Sequence, residues 1–333
     1  MHRKILIILS FFGIIGCEKM LMSPQPEADL ESIFQLMWET LDEKYSFFEL
    51  KNIDWDLVAD TFSTKIRPEM SDQQLFDVLA EMLYVLRDGH TNLVSEFDLS
   101  RNWRWYLDHP DNFDADLVMR NYLQENARIS GALRHQVIDS VLYIQYGSFA
   151  SPISGANLNV VLQRADSCKG VIIDVRHNGG GSLGNALFLA SAFIKETQNV
   201  YSVQERKGPG RNDFSALQSV QLSPHPRAFT GPVVVLINRR SYSASTYFAT
   251  MMKYNEHIKL MGDSTGGGGG TPIDAELPNG WRYRFSTTRT FDRRGFSLEP
   301  GVAPDIEVHM TEASRLQGID DIIEAALAHI KAL

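Results

Sequence analysis

The sequence predicts an α/β fold preceded by a bundle of amphipathic helices. Three observations carry that expectation. Gly170–Val175 and Val233–Ile237 are apolar at nearly every position, the mark of strands covered on both faces. Each leads toward a helical segment, Leu183–Lys195 and Ser245–Tyr254, and strand–helix alternation of this kind gives parallel pairing. Residues 30–86 instead hold three stretches whose apolar residues recur three and four apart, a helical period.

Residues 1–16 read as a targeting signal. Arg3 and Lys4 precede an apolar run, Ile5–Ile15, that is too short to span a bilayer as a stable anchor. Ile14-Ile15-Gly16-Cys17 resembles a bacterial lipobox, which makes Cys17 the lipidation site and the chain an exported lipoprotein of the bacterial cell envelope. A plain secretory signal with an incidental cysteine is the alternative, and it too means export. Residues 17–29, with Pro24 and Pro26, read as a tether.

An N-terminal helical bundle is expected over 30–98. Ile33, Phe34, Met37, Trp38, Leu41 and Tyr45 make the stripe of a first helix, Leu30–Phe48. A second starts after Asp54 with Leu57, Val58, Thr61 and Phe62 inward. A third starts at Ser71, where Ser71 and Gln74 form a capping-box pattern. Residues 99–136, with Trp103, Trp105 and Tyr106 among charges, fit a linker or a small β region. The α/β domain is expected over 137–333: a strand at Val141–Ile144, a helix at Leu158–Ala165, then the two strand–helix pairs and a strand at Leu260–Gly262. Pro278-Asn279-Gly280 signals a hairpin before alternating Trp281, Tyr283 and Phe285, and a last helix covers Ile319–Ile330.

Of 333 residues, 44% are apolar and 22% charged, ordinary for a folded chain, and the net charge is −9. An acidic chain lacks the basic footprint that nucleic acid requires. Two cysteines, Cys17 and Cys168, exclude a disulfide scaffold and a paired-CxxC zinc site. Cys168 reads as a small core residue. Nothing calls for a metal, a nucleotide or a flavin, and the oligomeric state is not legible.

Four places carry candidate chemistry. Ser241-Tyr242-Ser243-Ala244-Ser245 lies where a buried strand turns into a helix, so a hydroxyl there sits beside free N–H groups and the positive helix end. That suits a nucleophile whose attack creates an oxyanion, although serines also cap helices routinely. Asn178-Gly179-Gly180-Gly181 is a second strand-to-helix turn, able to cradle an anion or simply to turn tightly. His90, in Asp88-Gly89-His90-Thr91, is a possible general base or a helix-end histidine. Glu299, ahead of Pro300-Gly301, could orient a histidine or sit exposed in a turn.

In combination and order these blocks resemble the tail-specific and C-terminal-processing serine peptidases, a family that includes the tricorn core and interphotoreceptor retinoid-binding protein. The matching blocks are LRDGHTNL at 86–93, GVIIDVRHNGGGSL at 170–183, INRRSYSASTYFA at 237–249, GDSTGGGG at 262–269 and EPGVAPDIEV at 299–308. The resemblance implies a ClpP/crotonase-like catalytic domain capped by the helices, with Ser243 as nucleophile. Where dyad members of the family carry their base lysine, this chain has Gly268; Lys253 and Lys259 fall elsewhere. The resemblance therefore points to the tricorn-like branch, with a Ser243–His90–Glu299 triad and an oxyanion hole from Ala244 and Gly180. The stretch from Leu93 to Val141 is too short for the PDZ module that many members carry, so the chain is expected to be PDZ-less.

The expected function is that of an exported serine endopeptidase acting on peptides or proteins, attached to a membrane through its lipid and using no cofactor. Tyr242 and Thr246 depart from the usual residues around the serine, which keeps open a weak or inactive protein that binds peptides or hydrophobic ligands on the same scaffold. A crotonase-type acyl-CoA enzyme is the third reading, and export argues against it.

Overall fold

The computed structural model describes residues 29–102, 107 and 109–333. The signal at 1–16, Cys17, the tether up to residue 28 and the aromatics Trp103, Trp105 and Tyr106 lie outside the described residues.

Three capped helices open the fold: α1 (Leu30–Lys44), α2 (Trp55–Ser63) and α3 (Asp72–Tyr84). Asp29, Asp54 and Ser71 accept the first free N–H groups, and Ser71 with Gln74 completes the capping box. In α2 the expected register is off. Leu57 is 60% exposed and Thr61 also faces solvent, while Trp55, Val58 and Phe62 are buried. Trp55 displaces Leu57 because its indole N–H reaches the Trp38 carbonyl at 3.2 Å and its ring packs on Phe48.

Two short strands follow, β1 (Asn92–Val94) and β2 (Leu99–Arg101), then a single helical turn, α4 (Ala115–Leu117), continued by a wider turn to Leu123. The remaining elements are β3 (Arg128–Ser130), β4 (Leu133–Ile138), β5 (Val141–Tyr146), α5 (Gly155–Ala165), β6 (Gly170–Asp174), α6 (Leu183–Ser191), β7 (Gln198–Glu205), β8 (Gln218–Leu222), β9 (Val233–Ile237), α7 (Ala244–Lys253) and β10 (Ile258–Gly262). The chain closes with β11 (Pro272–Glu276), β12 (Arg282–Ser286), β13 (Thr288–Phe291), β14 (Ile306–Glu307), α8 (Glu312–Leu316) and α9 (Asp321–Lys331).

A seven-stranded sheet in the order β14-β10-β9-β6-β5-β4-β3 forms the body. Its centre, β10-β9-β6-β5, is parallel, as the strand–helix alternation requires. Helices α5, α6 and α7 contribute to the core on one face, and α9 with the 117–123 turn covers the other. Both faces of β6 and β9 are therefore buried, which is why those strands read as unbroken apolar runs. The 137 boundary taken from the sequence is crossed twice. β3 and most of β4 precede residue 137 yet belong to this sheet. The β11–β12 hairpin leaves it, pairs with β1 in a four-stranded sheet, and packs Trp281, Tyr283 and Phe285 into the core of α1–α3. A third sheet, β13-β7-β8, has no counterpart in the sequence reading. Cys168 is partly buried against the main core, with its thiol on the Arg164 carbonyl.

A buried ion network anchors the end of β6. Arg176, fully enclosed, pairs with Asp174 at 2.7 Å and Asp320 at 3.0 Å, and donates to the Asn112 carbonyl. Asp320 in turn caps α9 through the N–H groups of Ile322 and Ile323. Removing one member of such a network strands buried charge, which costs about 3–5 kcal/mol. Arg176→Met is therefore expected to lower stability by about that amount in urea titration, with the m-value unchanged.

Candidate active site

The site forms where two strand-to-helix turns meet. Four buried polar groups bind the turn after β6 to the turn after β9. Ser241 Oγ donates to the Val175 carbonyl at 2.8 Å, and Ser245 Oγ to the Asn178 carbonyl at 2.7 Å. The Tyr242 N–H also reaches Asn178 O, and Asn238 Oδ1 accepts the His177 N–H. This accounting separates the three serines. The hydroxyls of Ser241 and Ser245 are committed to backbone, and both residues are fully enclosed. Ser243 makes no cap bond with its side chain, and its Oγ lies 3.0 Å from His90 Nε2.

Ser243 holds φ 55° and ψ −120°, a strained conformation for a residue with a side chain. Its N–H is fixed by the Gly267 carbonyl at 2.9 Å. The strain lifts the hydroxyl off the helix end and leaves the N–H of Ala244, first residue of α7, without an intrahelical acceptor. Gly180 lies directly beneath. At φ 96°, a Cβ there would sit 2.9 Å from both Ala244 N and Ser243 Cβ, so only glycine fits. The Gly180 N–H is itself donated to Asn178 Oδ1 at 3.0 Å, and the neighbours Gly179 and Gly181 line the open cavity.

His90 arrives from the helical side, on the turn between α3 and β1. Its N–H is held by Asp88 Oδ1 at 2.8 Å, and the Tyr242 ring stands against the imidazole at 4.9 Å between centroids. Behind the ring, Nδ1 faces Ser286 Oγ at 3.5 Å and Asp88 Oδ1 at 4.0 Å. Burial pushes the imidazole down to about 4. The Asp88 charge opposes this, whereas Arg284, Arg101 and Lys51 push the same way. The ring is thus neutral at pH 7, as a proton acceptor must be.

Glu299 is brought to the same region but not onto the ring. Its Oε1 meets Lys51 Nζ at 2.7 Å and its Oε2 accepts the Gly269 N–H at 2.9 Å. Burial, then the Asp88 charge, raises its carboxyl to about 7, with Lys51 opposing. Asp88 is also fully buried; Lys51, His90 and the His90 N–H more than offset that burial, so its carboxyl sits below the usual range. The run Gly266–Gly270 is no flexible loop. All five residues are buried, and at Gly267 and Gly269 a Cβ would run into the Glu299 backbone, so the run is a packed strap between Ser243 and Glu299.

Sequence reading passed over Asp88, Lys51, Ser286, Arg101 and Arg284. Asp88 lay inside a matched block and could have been found there. Lys51 comes from the turn between α1 and α2, Arg101 from β2, and Arg284 and Ser286 from β12, with no local signal.

Comparison with known proteins gives the family and the fold. The model of peptidase family S41 matches residues 140–308, a little over half of the chain, and that of the tricorn protease C1 domain matches residues 26–84. The chain belongs to peptidase family S41. A crystal structure from Parabacteroides merdae, described as a candidate peptidase, is 41% identical, with a TM-score of 0.87 over 91% of this chain and 96% of that one. The carboxy-terminal processing protease CtpA of Bacillus subtilis is 24% identical over 153 residues, 46% of this chain and 31% of its own length, so the chain spans about a third of that relative. The tricorn protease shares the fold, with a TM-score of 0.59 at 17% identity over 91% of this chain and 37% of that one.

A direct check on this S41 site is the titration of His90. Its ring signals should move by NMR with a midpoint near pH 4. Asp88→Asn should lower that midpoint further, because the Asp88 charge is what favours the protonated ring.

Proposed function

We propose that the chain is a serine endopeptidase that hydrolyses peptide bonds through Ser243, His90 and Glu299. The observation that carries this reading is the 3.0 Å approach of a neutral imidazole to an uncommitted, strained serine hydroxyl at a helix N-terminus. In the proposed reaction His90 Nε2 takes the Ser243 proton as Oγ bonds to the peptide carbonyl carbon. The oxyanion lies against the Ala244 N–H and the glycine turn, where Gly180 is assigned by position and shares its N–H with Asn178. His90 returns the proton to the leaving amine, and water then releases the acyl group by the same steps in reverse order.

Glu299 serves as the acid member from one step away. It holds Gly269, and the same strap holds the Ser243 N–H through Gly267 and touches the imidazole at Gly268, where a Cβ would lie 3.0 Å from His90 Cε1. Asp88 is the carboxylate best placed to stabilise the imidazolium.

Ser243→Ala and His90→Ala are each expected to cut turnover of an internally quenched peptide library by at least about 10⁴-fold, and the double variant by little more, since the pair acts as a unit. Glu299→Gln, which misplaces rather than removes the reacting groups, should cost about 10²-fold. Fluorophosphonate labelling confined to Ser243 separates this reading from a ligand-binding protein on the same scaffold, which would carry no activated serine.

We also propose export and lipid attachment at Cys17, supported by the basic start, the apolar run and the Ile14-Ile15-Gly16-Cys17 sequence. Labelled palmitate should enter the protein in a bacterial host and be lost in Cys17→Ser.

A further inference from the structure

Tyr242, immediately before Ser243, takes no step in the proposed reaction, yet it is a large residue buried in the middle of the site. Two cavities meet at it. One, of about 410 Å³, is bordered by His90 and Ser243; the other, of about 400 Å³, is bordered by Lys51 and Glu299. Tyr242 borders both, so it stands between the serine–imidazole pair and the buried lysine–carboxylate pair.

The backbone leaves this side chain little choice of direction. The Tyr242 N–H is held by the Asn178 carbonyl. Its neighbours are clamped to the glycine strap: the Gly266 N–H donates to Ser241 O at 2.8 Å and the Ser243 N–H to Gly267 O at 2.9 Å, which sets a parallel bridge between Tyr242 and Gly267. From that fixed start the ring lies against the imidazole, 4.9 Å between centroids and inclined by 54°. Gly268 closes a further side. A Cβ there would stand 2.6 Å from Tyr242 Cζ and 3.0 Å from His90 Cε1, so the strap touches both rings where they meet. A side chain locked by such packing holds a reacting group in place far better than a mobile one.

The surroundings of His90 show what the ring excludes. Asp88 lies on the same turn, Arg101 comes from β2, Arg284 and Ser286 from β12, and Lys51 from the turn between α1 and α2, while Glu299 lies across the strap. Burial is the first cause of the low imidazole pKa, ahead of all these charges. Opening the ring side to the second cavity would readmit water, which favours the charged form. Loss of the aromatic face, which attracts a protonated imidazole, works the other way but weighs less than the burial lost with it. An imidazole already protonated cannot take the Ser243 proton, and one free to swing loses its 3.0 Å approach to the hydroxyl.

We propose that Tyr242 is a positioning residue for His90, its ring serving as the partition that holds the imidazole against Ser243 and seals it from the cavity behind. The reaction it serves rests on the peptidase reading; the partition itself does not.

The test measures two quantities on the purified chain and its Tyr242 variants: the rate at which Ser243 takes a fluorophosphonate, followed across the acid and neutral range, and the titration of His90 by NMR. In Tyr242→Ala labelling should slow by about 10²-fold, and its loss toward acid should set in at higher pH than in the wild type. The His90 midpoint should move up from about 4 toward the ordinary 6.5. Tyr242→Phe, which keeps the ring, should bring both quantities back. Tyr242→Leu leaves a smaller void than Ala and should move both in the same direction, which keeps the test decisive should the Ala variant fail to fold. Labelling at the wild-type rate in Tyr242→Ala or Tyr242→Leu, an equal loss in Tyr242→Phe, or slower labelling with an unmoved His90 midpoint would overturn the partition. A wild-type protein whose Ser243 takes no label would overturn the hydrolytic reading instead, and the His90 midpoint in the variants would still decide the partition.

Discussion

The site depends on the buried stitching of two strand ends. Ser241 and Ser245, both fully enclosed, spend their hydroxyls on the turn after β6, so each bond is costly to break. Asn178 is completely enclosed. Its amide group donates to the Tyr146 carbonyl while its side-chain oxygen takes the Gly180 N–H, so one side chain sets the position of the glycine turn relative to β5. The backbone of Ser243 is clamped from the other side by Gly267. A serine at positive φ persists only when its surroundings over-determine it, and this pair of turns does so.

The second constraint is charge. Asp88 and Glu299 are two buried carboxylates near Lys51: burial and the Asp88 charge raise the Glu299 carboxyl to about 7, whereas Lys51 and His90 hold Asp88 below its usual range in spite of burial. The ionised Asp88 makes a second charge nearby costly, so Glu299 holds its proton more tightly, as like charges in a low-dielectric site require. Lys51, 12% exposed in its side chain, favours the ionised form of both carboxylates and opposes protonation of the imidazole.

Much of this was legible in the chain. The capping residues, the apolar stripes of α1 and α3, and the continuous runs of β6 and β9 follow from local period and burial, and they came out where expected. The β7–β8–β13 sheet was not legible because its strands are half-buried and polar, as in Gln198-Asn199-Val200-Tyr201-Ser202, and carry no period that separates them from loop. In α2 a single large indole overrode the register that Leu57 suggested, a case of packing volume outweighing pattern.

By itself the sequence determined the element types, the two glycine- and serine-bearing turns and the family blocks, because each is encoded within some fifteen consecutive residues and obeys short-range physics. Which serine hydroxyl is left uncommitted to backbone, that the strap at 266–270 is packed, and that Glu299 binds Lys51 instead of the imidazole were decided only by tertiary structure. Those outcomes hinge on side chains many residues apart competing for the same hydrogen bonds and the same buried space, and no local pattern records who wins such a competition.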